Sequence, residues 1–596
     1  MKKRAADIIM DTLIEENITD CFAVVGGGAM YLDNALLKCT KMHKMFNHHE
    51  QACAIAAEGY AKISGHIPFV CVTSGPGTTN TLTGVMGAWV DSVPMLIISG
   101  QMRYDVTVAS TGLPLRFRGG QEFNIVDTVK TMTKYSKMVT DPLDVKAEVK
   151  KAVHIATTGR RGPVWLDIPL DVQMAMVDEA CLHEYVNKEK LPVIKTSDAA
   201  ELLIKLEQAE RPVILAGNGI INSGSYNEFF DFAHMLNVPV ISTLCAGDVM
   251  GRDDPIYYGG SGSIGPRTGN FILQNSDFIL ALGTSMGFKT TGYVQDAFAR
   301  KAYIVMVDVD VFEVQKPGVR VDLFIHSDLH EFFRVMNSSF DLHEISISDK
   351  WKDYCNDVKQ RFTPFEAAEG LSPDDRICSY YFWKVFEKYE EDDSILALGN
   401  NTGISAKIQI GVKKDGQRFI VNNNCGSMGY DLPAAIGAAA GSGRTVYCAT
   451  GDGSIMMNLQ ELQTIKHYKL PVKIIVFAND GYNAIRQTSK NFFNGELIGC
   501  TPDSGVSFPD FRKVADTFEF PCRECHTNAE TDEAVKWLVA QPDRAMLILD
   551  ERLDDPVTPK VMSRVDENGK FITPALQDMY PFLPEDEMKE LMKISQ

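Results

Sequence analysis

At 596 residues the chain exceeds what one hydrophobic core supports, so about three or four domains are expected. Its 45% hydrophobic and 23% charged residues are those of an ordinary water-soluble globular protein. A net charge of −19 argues against nucleic acid or an anionic membrane surface as a partner, and no apolar run approaches membrane-spanning length.

The opening residues, "MKKRAADIIMDTLIEENI", begin like a signal sequence. Asp7, Asp11, Glu15 and Glu16 then break any apolar continuation, so an amphipathic first helix and a cytoplasmic location are expected. Residues 1–185 alternate strands and helices ("DCFAVVGGGAM", "PFVCVTSGPGTTN", "VPMLIISGQ", "GPVWLDIPLDV"), which predicts a parallel α/β domain. Glu50 opens an alanine-rich helix; a glutamate in a first turn is favoured by the helix dipole and alone reads as structural. Its neighbours His48 and His49 point apart, which argues against joint metal ligation. "TSGPGTTN" is a strand-to-helix turn whose Pro76 and Asn80 are candidates to line a pocket.

A charged stretch near residues 186–199 reads as a linker into a second α/β unit, 186–345, built on "RPVILAGNGI", "VPVISTLCAGD", "DFILALGTS" and "AYIVMVDVD". The third unit, 346–555, contains "VYCATGDGSIMMNLQELQTIKHYKLPVKIIVFANDGY". Here two buried strands flank Ile455, Leu459, Leu462 and Ile465 at helical spacing, a strand–helix–strand unit with a right-handed crossover. Asp452 and Asn479 then lie at the carboxyl ends of neighbouring strands, where open α/β sheets bind ligands. Gly451 and Gly453 permit a tight turn with open amides, an anion site. Two oxygen ligands beside an anion site point to Mg²⁺ holding a phosphate group, although "GDG" by itself is equally a plain turn. "PCRECH" has the spacing of a haem attachment site but no axial-ligand context and no second ligand cluster, so Cys522, Cys525 and His526 read as structural. The tail, 556–596, shows little periodicity before a last helix.

Taken in order, "HEQACAIAAEGYAKISG", "TSGPGTTN", "GSMGYDLPAAIGAA" and the "GDG…NDGY" stretch resemble the thiamine diphosphate enzymes of the acetohydroxyacid (acetolactate) synthase and pyruvate decarboxylase superfamily over residues 1 to about 555. The resemblance implies three consecutive parallel-sheet α/β domains: pyrimidine-binding, central and diphosphate-binding. It also implies a homodimer or homotetramer whose chains share each active site. It assigns Glu50 to protonating the aminopyrimidine, Met428 to wedging the cofactor into a V, and the Gly426 carbonyl to its exocyclic amine. Asp452, Asn479 and the Gly481 carbonyl would bind Mg²⁺; Gly453, Ser454, Asn401, Thr402 and Asn483 would contact the diphosphate.

Gln121 is carried over as a residue approaching the acyl intermediate. Gly120 and Thr488 stand where synthases place a phenylalanine and a tryptophan, so an acceptor bulkier than a small 2-oxo acid is expected. With the tail "PALQDMYPFLPEDE", the pattern resembles synthase-like proteins of surface-polysaccharide and deoxysugar pathways, some of which act on keto-sugar nucleotides. An ordinary acetolactate synthase and a non-ligating 2-oxo acid decarboxylase are the alternatives. A catalytically dead scaffold would have no need to keep Glu50, Asp452 and Asn479 together. FAD is weighed and disfavoured, because Ser285 and Gly287 occupy positions where the family's charged contacts are expected and the "GNG" of residues 217–219 is too short a signal.

Overall fold

The computed structural model describes residues 2–339, 344–565 and 568–595; Met1 and Gln596, the ends of the expected first domain and tail, lie outside them, as do 340–343 and 566–567. The apolar runs form three six-stranded sheets, each parallel throughout. Segments such as Met95–Gln101, Phe278–Leu282 and Ile395–Leu398 are buried along their whole length, as strands covered by helices on both faces must be. The chain is thus three parallel-sheet α/β units in succession.

Two of the sheets repeat one topology. The first runs His43–Phe46, Asp20–Ala23, Phe69–Val72, Met95–Gln101, Pro163–Pro169, Tyr135–Met138; the third runs Arg418–Val421, Ile395–Leu398, Val446–Gly451, Val472–Ala478, Ala545–Asp550, Cys522–Cys525. Numbered in chain order within each sheet, both read 2-1-3-4-6-5. The middle sheet reads 3-2-1-4-5-6, the doubly wound order, with Pro212–Ala216 and Phe278–Leu282 at the point where the order reverses.

The first and third units lock together where the helix Glu50–Ser64 crosses Asp431–Ser442. Only glycine permits the approach: a Cβ on Gly437 would lie 1.8 Å from the Ala56 carbonyl oxygen. The tail straps the middle unit, with Asn270 Nδ2 donating to Leu576 O at 3.2 Å and Asn275 Nδ2 donating to Leu591 O at 3.2 Å. "CREC" is an edge strand with Cys525 buried.

One local expectation is corrected. The helix expected through Ile455 and Ile465 is split into Asp452–Ile455 and Glu461–Tyr468. Asn458 lies in the break, and its side-chain amide donates to Gly429 O at 2.7 Å, which ties the break to the "GSM" turn. Among the described residues no helix is long and apolar enough to cross a membrane.

Candidate active site

Parallel register delivers a set of polar side chains to the carboxyl ends of four adjacent strands. Asp452 follows Val446–Gly451 directly; its Oδ1 accepts from Gly453 N at 2.8 Å, and its Oδ2 accepts from Asn479 N at 3.0 Å and Gly481 N at 3.2 Å. Because Ala478 pairs with Asp550, Asn479 and Glu551 leave their strands side by side, and Asn479 Nδ2 donates to Glu551 Oε2 at 2.7 Å. The other end of that amide, Oδ1, accepts from the Arg486 guanidinium at 2.9 Å. Asn401 caps the helix Thr402–Ile410 by accepting from Gly403 N at 2.6 Å, and Asn483 Nδ2 donates to the Thr402 hydroxyl at 3.0 Å.

The "GSM" turn is tied to this cluster through Ser454, whose hydroxyl donates to Asp431 at 2.5 Å and accepts from Gly429 N at 2.9 Å. A Cβ on Gly453 would come 3.3 Å from Met428 Cε, so Met428 reaches over the "GDG" turn. The Gly426 carbonyl accepts from Asn400 Nδ2 at 2.6 Å.

Charge at this pole is unbalanced. Asp452 is 2% exposed, and burial pushes its carboxyl up to about 6 although three backbone N–H bonds pull it down. Burial, then the neighbouring Asp555, raises Glu551 well above the usual carboxylate range, and its Oε1 has no hydrogen-bond partner. Burial raises Asp555 as well, against two hydrogen bonds from Ser379. Arg486 donates to the Asn479 backbone carbonyl and to its Oδ1, which sets one cation at the pole, and Arg552 lies 3.9 Å from Asp555. An oxygen-rich pole of this kind, with three buried carboxyls, offers the donor type that a hard divalent cation takes.

Glu50, Asn80, Pro76 and Gln121 form a second cluster in the first unit. Glu50 starts its helix and accepts from Asn80 Nδ2 at 2.9 Å; His49 Nδ1, capping the same helix, accepts from Gln51 N. The buried Glu461 of the third unit accepts from Asn47 Nδ2 at 2.9 Å and His48 N at 3.0 Å, fixing the turn before Glu50. Gln121 is exposed with φ +61°, and its carbonyl sits against the "TSGPG" turn: a Cβ on Gly75 would be 2.6 Å from it. Pro76, next in the chain, is exposed. A Cβ on Gly120 would meet nothing within 4 Å. Thr488 is exposed on the helix Asn483–Phe492, its hydroxyl turned to Ala484 O.

Sequence reading passed over Glu461, Asp431, Arg486 and Glu551. Only Glu551 left a signal, as the second of two acids, Asp550 and Glu551, that close the apolar run "AMLIL".

Three family models match in this same order. They are the thiamine pyrophosphate enzyme N-terminal TPP binding domain over residues 3–124, its central domain over 197–336 and its C-terminal TPP binding domain over 397–549. The chain is 30% identical to acetolactate synthase 1, chloroplastic, of Zea mays, over 94% of its own length and 87% of the relative's. The chain belongs to the thiamine pyrophosphate enzymes. Further relatives are the probable acetolactate synthase 2 of Oryza sativa subsp. japonica, 30% identical over 96% of this chain and 86% of that one, and the Arabidopsis thaliana acetolactate synthase, 29% identical over 91% and 81%. It is therefore an enzyme of decarboxylation or carboligation that uses thiamine diphosphate.

This thiamine pyrophosphate enzyme also has a cavity of about 390 Å³ away from Asp452. It lies at the switch point of the middle sheet and is lined by Asn218, Gly219, Thr284, Ser285, Asp308 and Arg161, among others.

Proposed function

We propose that this enzyme is acetolactate synthase-like: it decarboxylates pyruvate or a close 2-oxo acid and ligates the acyl unit to a carbonyl acceptor larger than pyruvate. The observation that carries the reading is the oxygen-rich pole where Asp452 gathers Asn479 and Gly481. In this reading Asp452, the Asn479 side chain and the Gly481 carbonyl hold Mg²⁺. Ser454, Asn401, Thr402 and Asn483 face the diphosphate; Gly453 N–H joins them by sharing its bond to Asp452 Oδ1.

Thiamine diphosphate, when bound, supplies a carbon nucleophile and a sink for the electrons left by departing CO₂. Glu50 exchanges a proton with the aminopyrimidine, and Asn80 orients its carboxyl. Met428 would pack against the cofactor, and the Gly426 carbonyl would accept from its exocyclic amine with the lone pair that Asn400 leaves free. Gln121 borders the acyl group from the turn of Pro76. The free space at Gly120 and the short exposed Thr488 support a bulky acceptor of the keto-sugar nucleotide class. Exposure of Pro76, Gln121 and Thr488 supports closure of the site by a second chain, as a homodimer or homotetramer.

The test is incubation with thiamine diphosphate, Mg²⁺, pyruvate and a panel of carbonyl acceptors, read by mass spectrometry. The expected product is a ligated keto-alcohol from a large acceptor. Acetolactate formed from pyruvate alone as efficiently as any other product would make this an ordinary synthase; free aldehyde alone would make it a decarboxylase.

The cavity favours a second assignment, a dinucleotide such as FAD in the central unit, in spite of Ser285 and Gly287. Arg161 on its wall, whose guanidinium donates to Ser223 O, offers a cation to a diphosphate. Flavin absorbance in the purified enzyme supports this assignment, and its absence after reconstitution with FAD removes it.

A further inference from the structure

We infer that Glu551 is a positioning residue that sets the orientation of two side-chain amides, Asn479 and Asn401, and so prepares the metal–diphosphate pole; this rests on the reading of that pole given above. Glu551 is fully buried and directly follows the strand Ala545–Asp550. Its Oε2 accepts from Asn479 Nδ2 at 2.7 Å and lies 3.5 Å from Asn401 Nδ2. An amide that gives its NH₂ to a carboxyl oxygen must turn its carbonyl oxygen elsewhere. For Asn401 the oxygen then faces Gly403 N at 2.6 Å and caps the helix that opens with Thr402. For Asn479 it faces the open side of the pole, where Arg486 now meets it.

The neighbourhood leaves Glu551 few alternatives. A Cβ on Gly403 would fall 2.6 Å from Glu551 Oε1, so the carboxyl is packed tightly against the start of that helix. The backbone of Glu551 is held too, its N–H donating to Ala478 O at 2.9 Å. The side chain therefore acts as a rigid acceptor wedged between the strand end that delivers the expected metal ligand and the helix start that faces the diphosphate. Groups that orient a metal ligand from behind are commonly worth 10–100-fold in affinity.

The test measures binding rather than turnover: calorimetry of thiamine diphosphate with Mg²⁺ and, separately, of Mn²⁺ alone, on the full chain. Glu551→Val removes the acceptor, and we expect roughly 10–100-fold weaker binding. Glu551→Gln keeps the shape and one acceptor oxygen, and its binding should stay within about threefold of wild type, a rescue that also answers if the valine variant fails to fold. Because part of its effect runs through Asn479, adding Glu551→Val to Asn479→Ala should cost less than Glu551→Val costs in the wild type, the remainder being the Asn401 share. Binding by Glu551→Val within twofold of wild type, or fully additive losses in the double variant, overturns the inference. Metal-dependent binding that survives Asp452→Ala overturns the reading of the pole itself and this inference with it; loss in Asp452→Ala beside normal binding in Glu551→Val overturns Glu551 alone.

Discussion

Replacing Asp452 by alanine should abolish metal-dependent retention of thiamine diphosphate. The carboxylate accepts three backbone N–H groups, from Gly453, Asn479 and Gly481, in a setting where Asp452 is only 2% exposed. Alanine strands all three donors, and at about 1 kcal/mol or more for each the turn loses at least about 3 kcal/mol of local stability before any ligand is considered. Removing one partner of a buried charge contact costs about 2–5 kcal/mol further, a factor of roughly 30 to 5,000 in cofactor affinity. Asp452→Asn separates the two contributions. Its oxygen can face Asn479 N–H and Gly481 N–H, but its NH₂ then opposes Gly453 N–H, so it should keep most of the fold and still lose the charge that a divalent cation needs. Titration calorimetry with and without Mg²⁺, beside thermal unfolding of the cofactor-free proteins, distinguishes the contributions. Tight, Mg²⁺-dependent binding by Asp452→Ala would refute the assignment.

Glu50→Gln should bind cofactor as the wild type does and lose about 10²- to 10⁴-fold in turnover, since only a proton relay is removed; activity within twofold of wild type would return Glu50 to a helix-start role. Thr488→Trp should depress ligation to a large acceptor more than decarboxylation of the 2-oxo acid; equal loss of both by product analysis counts against Thr488 as an acceptor residue. Asp167, fully buried on Pro163–Pro169 and bonded to Ser99 and Gln101, is raised by burial from 3.8 to about 7. The native state then holds a proton that the unfolded chain releases, so stability falls as pH rises between about 4 and 7, by on the order of 4 kcal/mol in all. Asp167→Asn should flatten that decline and gain on wild type at pH 8 relative to pH 5 in thermal unfolding; parallel pH profiles for the two proteins would count against it.

What was legible in the sequence was what a single strand and its exit turn encode. Buried runs such as "VKIIVFA" and glycine turns such as "ATGDG" announce parallel strands and the place where their ends meet a ligand, so the three α/β units and the opening of Asp452 and Asn479 toward one pole follow from local pattern. What was not legible depends on register and on crossings between units. Glu551 becomes a partner of Asn479 only because Ala478 pairs with Asp550, and Glu461 reaches Asn47 and His48 only because the first and third units interlock. The broken helix at Asn458 was not legible either: its helical spacing is intact in the sequence, and the bond that Asn458 makes to Gly429 exists only in the folded chain. Residues expected to meet a ligand carry their chemistry in local motifs, whereas the residues bonded to them from behind are reached through long-range pairing. The candidate site was therefore readable at its surface, and its supports at Glu551, Glu461 and Asp431 became visible only once the sheets were assembled.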